Sequence, residues 1–159
     1  MRFYQVAAFL LLAGCGDDAN VAGNYALAIT SGNSTCPIQG WRPGNMTVGT
    51  ALTVMQSGAN LTAQVAGGGG LMLNALLASN TLTGTVSGDQ MNLTVHGTRT
   101  FNQMTCSYTY DVTVQARLNG DLLTGTVNYA ALTNGSADCG AVTGCHAQQT
   151  FNGTRPPPQ

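Results

Sequence analysis

From residue 23 onward, apolar and polar positions alternate with a period of two, the signature of half-buried β-strands. Residues 23–30 set Tyr25, Leu27 and Ile29 on one face, and residues 47–57 align Val48, Leu52 and Val54. Residues 60–66 align Leu61, Ala63 and Val65; residues 81–87 contribute Leu82 and Val86; residues 90–98 contribute Met91, Leu93 and Val95. The longest run, 105–118, puts Tyr108, Tyr110, Val112, Val114, Ala116 and Leu118 on one side. Residues 122–130 add Leu123, Val127 and Tyr129, and residues 147–154 add Ala147 and Phe151. Short polar turns carrying Gly58, Gly88 and Gly120 separate successive runs, and glycine supplies the positive φ that tight hairpins need. The pentapeptide Leu-Thr-Gly-Thr-Val occurs at Leu82 and again at Leu123, which suggests a repeated hairpin unit.

Two stretches break the alternation. Residues 31–46, with Cys36, Pro37, Trp41, Arg42 and Pro43, read as a long loop. Gly67 to Gly70 read as a flexible loop over one end of the fold. They are followed by Leu71, Leu73, Leu76 and Leu77, which suit a short helix, a flap or a strand equally well. The expected fold is all-β: one domain over 22–154 forming an up-and-down antiparallel barrel of about eight strands, with a two-layer sandwich as the alternative.

The N-terminus carries a different signal. An apolar run over 6–14 ends in Leu12-Ala13-Gly14-Cys15. It is far short of the roughly 20 residues that cross a bilayer, and small residues closing such a run mark a cleavage site. These four residues resemble the lipobox of bacterial lipoprotein precursors. The resemblance implies a signal peptide over 1–14, cleavage before Cys15, lipid on the Cys15 sulfur and amine, and a lipidated tether over 15–21. It also implies a membrane partner through that anchor and residence in the cell envelope. Gly16 in place of Asp after Cys15 points to the outer membrane. Residues 155–159, Arg-Pro-Pro-Pro-Gln, cannot continue a central strand and read as a tail.

A second resemblance lies at the first strand. Gly23-Asn24-Tyr25 is similar to the Gly-x-Trp that opens lipocalin-type barrels, with Tyr in place of Trp. It implies that Arg155, beyond the last strand, lies beside the Tyr25 ring at the closed end of the barrel, and that the mouth holds a small apolar molecule.

Composition narrows the function classes. Charged residues make up 7% of the chain, Lys and Glu are absent, and the net charge is -1. No basic patch is available to neutralise phosphates, which argues against nucleic acid. With Cys15 assigned to lipid, Cys36, Cys106, Cys139 and Cys145 form an even set suited to disulfides in an oxidising compartment. Pairings Cys139–Cys145 and Cys36–Cys106 are favoured, although spacing alone leaves all three combinations open. The spacing Cys139-x-x-x-x-x-Cys145-His146 fits neither a c-type haem motif nor a zinc ribbon, so no metal or cofactor is expected. His96 and His146 are the only histidines; Asp89 and Asp121 occupy turns, and Asp111 points away from the apolar face of its strand. No nucleophile, base and orienting group come together, so an enzyme is not expected. The aromatic and basic candidates for ligand binding or recognition are Tyr25, Trp41, Tyr108, Tyr110 and Arg155. Two functions follow: a barrel binding a small apolar ligand, or a structural or adhesive surface module contacting an envelope protein.

Overall fold

The computed structural model describes residues 18–156. The expected signal peptide, Cys15, the first tether residues and residues 157–159 lie outside the described residues. Among the described residues there are nine strands, eight of them from the alternating runs: β1 (Gly23–Ser34), β2 (Met46–Ser57), β3 (Asn60–Ala66), β4 (Thr81–Ser87), β5 (Gln90–His96), β6 (Phe101–Gln103), β7 (Cys106–Asn119), β8 (Leu122–Thr133) and β9 (His146–Thr154). A helix, α1 (Gly67–Leu77), joins β3 to β4. All ladders are antiparallel. β1 through β5 pair in sequence order, β7, β8 and β9 do the same, and β9 returns to β1. β5 pairs with β7 from Gln90↔Arg117 to His96↔Asp111, which closes an eight-stranded up-and-down barrel. The short β6, absent from the sequence reading, adds to β7 beyond the closure.

The side chains assigned inward by alternation face the barrel interior, with one correction. Val48 is 70% exposed. Leu27 pairs with Thr50 whereas Ile29 pairs with Thr47, so β2 carries an extra residue at this point. Gly49, at φ +73°, accommodates the bulge, and a bulge reverses the facing of every residue beyond it. Thr50 therefore points inward, fully buried, while Val48 turns out to solvent.

The two ends of the barrel differ. At the closed end the hairpins at 57–60, 87–90 and 119–122 are tight, and the chain is already docked from Asp18, ahead of the boundary expected near Ala22. Val21 is wholly buried. Its amide donates to Gln56 Oε1 (2.8 Å), Gln56 Nε2 donates to the Ala19 carbonyl, and the Tyr25 hydroxyl donates to the Val21 carbonyl (2.8 Å). The opposite end, the mouth, carries α1 and the long connections after β1, β5 and β8.

Both disulfides lie at the mouth, and their pairing corrects the favoured one: Cys36 bonds Cys145, and Cys106 bonds Cys139. Cys36 follows β1 and Cys145 precedes β9, and the β1–β9 ladder brings them together. Cys106 opens β7, and Cys139 sits in a 3-10 turn (Ala137–Cys139) just past its neighbour β8. Cys36–Cys145 thus ties two mouth loops together, and Cys106–Cys139 fastens a mouth loop to the adjacent strand. Asp138 in the same turn accepts hydrogen bonds from the Thr105 hydroxyl and amide, which hold its carboxyl below the usual range. Non-reducing peptide mapping is expected to recover Cys36 with Cys145 and Cys106 with Cys139. The double variant Cys36→Ser/Cys145→Ser, which opens the longer loop, is expected to lose about 2–5 kcal/mol in chemical unfolding.

Candidate ligand cavity

Eight strands enclose an interior just wide enough for side chains or one small ligand, and here the filling is incomplete. A cavity of about 220 Å³ remains between the barrel wall and α1. Its walls are aliphatic and aromatic, with Leu52, Met91, Val114 and Phe151 among them, and α1 covers it with Gly68, Gly69, Met72 and Leu73. Thr47, Tyr129 and Gln149 are the polar lining residues, and no charged residue lines it.

Two of these, Tyr129 and Gln149, form a hydrogen-bonded chain with Ser31 across three adjacent strands. Gln149 follows the inward parity of Ala147 and Phe151 on β9 and is 7% exposed. The Tyr129 hydroxyl donates to Gln149 Oε1 at 2.6 Å, and Gln149 Nε2 donates to Ser31 Oγ at 3.2 Å. Burial pushes the Tyr129 phenol far above its ordinary range, so it stays a neutral donor. Trp41 packs edge-on against Tyr129, ring centroids 5.5 Å apart, and its indole N–H donates to the Gly32 carbonyl. The disulfide-held loop after β1 thereby braces the polar chain from outside.

The helical cover is built from residues poorly suited to helices. Gly67 to Gly70, expected as a flexible loop, form its first turn. Each glycine costs about 0.8–1 kcal/mol relative to alanine. Ala66 at the N-cap position offers no side-chain cap, and Ala78 ends the helix in the left-handed region at φ 60°. Close approach explains the glycines. A Cβ at Gly69 would stand 2.8 Å from Thr50 Cγ2, and one at Gly70 would run into the Val65 carbonyl. Packing of Leu73, Leu76 and Leu77 on the barrel holds the helix in place. Beneath it, Thr50 Oγ1 is buried with no hydrogen-bond partner among the described residues, and Tyr110 Oη is likewise unpartnered.

None of the five recognition candidates lines the cavity. Tyr25 is buried at the closed end. The Arg155 stem crosses Gly23, with Cδ 2.7 Å from where a Cβ there would stand, and the Tyr25 ring lies alongside. The Arg155 guanidinium donates to the carbonyls of Asn20 and Ala22 and pairs with Asp121 at 3.2 Å. Burial raises the Tyr25 phenol, partly offset by the Arg155 charge. Tyr108 and Tyr110 cluster with Phe101 at the mouth rim, centroids 5.4–5.6 Å apart. Trp41 acts through Tyr129. His96 and Asp111 pair across β5 and β7 on the outer surface at 2.8 Å. Among the described residues, no cluster of metal-ligating side chains is present. Gln149 was not singled out from the sequence. The available signal for Gln149 was a polar residue at an inward position between two apolar ones.

Comparison with protein-family models, curated proteins and solved structures finds no match to this chain.

Two substitutions test this account of the cover. Gly70→Ala is expected to destabilise the protein by about 1–3 kcal/mol through overpacking against Val65. Thr50→Val, which replaces an unpartnered hydroxyl by a methyl, is expected to be neutral or to stabilise by about 1 kcal/mol. Thermal and denaturant unfolding read both.

Proposed function

We propose that this protein is a lipid-anchored lipoprotein of the cell envelope whose lipocalin-like barrel binds a small apolar molecule. The carrying observation is the closed barrel with an apolar cavity of about 220 Å³ under a weakly built helix. An engineered apolar cavity of about 150 Å³ is large enough to bind benzene, so the space accommodates a compact ligand. The lipobox at Leu12-Ala13-Gly14-Cys15 supports the anchor. Cys15 lies three residues before Asp18, whose carboxylate accepts from the Gly88 amide at the closed end. An extended chain of that length spans roughly 10 Å. On this reading the closed end sits next to the membrane and the mouth faces away from it, open to ligand exchange.

A second reading, a surface module that contacts an envelope protein, draws on exposed apolar side chains at the mouth end. Met46, Val48, Leu71, Met104 and Leu132 are each more than half exposed there.

Native mass spectrometry of the chain purified from cells is expected to show a non-covalent adduct of small mass in the barrel. A protein free of adduct that also takes up no small apolar probe would rule out ligand binding. The surface-module reading predicts a specific envelope protein recovered by cross-linking in intact cells. For the anchor, Cys15→Ser is expected to move the protein from the membrane fraction to the soluble fraction; continued lipid anchoring of that variant would refute it.

A further inference from the structure

The cavity's polar chain says more about its occupant than apolar volume alone. A glutamine amide offers two N–H donors and an acceptor oxygen. Gln149 Oε1 is taken by the Tyr129 hydroxyl and one Nε2 proton is directed to Ser31 Oγ. The remaining Nε2 contact is the Met72 sulfur of α1, 3.9 Å away. A thioether is a weak acceptor, and an under-satisfied buried donor costs about 1–3 kcal/mol. This donor faces the cavity beneath α1, and an oxygen atom placed there would complete it.

We propose that the barrel selects compact, neutral molecules that carry one hydrogen-bond-accepting oxygen, such as a ketone, ether or ester, which the Gln149 amide holds at the α1 end of the cavity. The inference rests on the ligand-binding reading above. Size sets the first limit, since the cavity falls below the roughly 300–1,000 Å³ of sites for drug-sized ligands. Charge sets the second. No charged side chain lines the cavity, and an unpaired carboxylate moved there from water would be strongly disfavoured. Fatty-acid anions are therefore poor occupants. Position sets the third: Tyr129 and Ser31 fix the amide plane from both sides, so the donor is oriented before ligand arrives. Met72 yields to ligand oxygen, which couples occupancy to a shift of the covering helix.

The test uses three probes of similar size: acetophenone, its hydrocarbon isostere cumene, and benzoate. Binding to the intact chain is measured by isothermal titration calorimetry, for the wild type, Gln149→Leu and Gln149→Met. Cumene is the greasier probe, so the informative quantity is the acetophenone-to-cumene affinity ratio within each protein. Loss of one neutral hydrogen bond is expected to lower that ratio about tenfold in both variants, while cumene binding holds or improves. Benzoate is expected to bind at least tenfold more weakly than acetophenone to the wild type. Thermal unfolding establishes that each variant is folded; the isosteric Gln149→Met serves if Gln149→Leu does not fold. An unchanged ratio, or benzoate binding equal to acetophenone, would overturn the polar-handle assignment and leave the cavity as a plain apolar site. Failure of both acetophenone and cumene to bind the wild type would overturn ligand binding itself, and this inference with it.

Discussion

Closure of the barrel between β5 and β7 is the constraint on which the other features depend. An open meander of this length would leave two unpaired edges and expose the apolar face of every strand. With the ladder from Gln90↔Arg117 to His96↔Asp111 in place, Met91, Leu93 and Val95 face Val112, Val114 and Ala116 from neighbouring strands and become parts of one wall. The other long-range pairing of the same barrel, the β1–β9 ladder, determines what meets at the mouth: it sets Cys36 beside Cys145, although 109 residues separate them in sequence.

The closed end and the mouth are held by different physics. At the closed end, two-residue hairpins leave little to cover, and residues 18–22 plug what remains through hydrogen bonds to Gln56 and Tyr25. Arg155 ties the plug to the end of β9 by bonding the Asn20 and Ala22 carbonyls and Asp121. At the mouth the loops after β1 and β8 are held covalently, whereas the covering helix is held by packing and by the hydrogen bond from the Thr98 amide to the Leu77 carbonyl at its end. Four glycines, the absence of a side-chain cap and a left-handed Ala78 make α1 a marginal helix by itself. Segments of low local stability are the ones that open first, and here that segment lies over the cavity.

Glycine at the start of α1 has a positive role as well as a cost. Any larger residue at Gly69 or Gly70 would lift the helix off Thr50 and the Val65 carbonyl. Close seating of the helix brings Met72 down to the Gln149 amide in a largely apolar cavity. Cover and polar chain are thus one arrangement, with Trp41 bracing it from the disulfide-held side through Tyr129.

Much of the fold was legible in the sequence because a period of two is a local property. The alternating runs at 60–66 and 81–87 became β3 and β4 without adjustment, and glycine marked the hairpins at Gly58, Gly88 and Gly120. The even cysteine set likewise announced two bridges. What needed the tertiary structure was whatever depends on contacts between distant segments. The facing of Val48 turned on a bulge defined by the β1 register. The disulfide pairing turned on which strands are neighbours in the barrel, β1 with β9 and β7 with β8. Gly67 to Gly70 have no intrinsic preference for helix and adopt it only against the surface of β2 and β3. Gln149 looks like an ordinary polar strand residue until β8 and β1 bring Tyr129 and Ser31 to it. The sequence by itself determined the eight barrel strands and their tight hairpins. The tertiary structure decided that the barrel is not full, because the empty volume is a difference between how much space eight closed strands enclose and how much the inward side chains occupy.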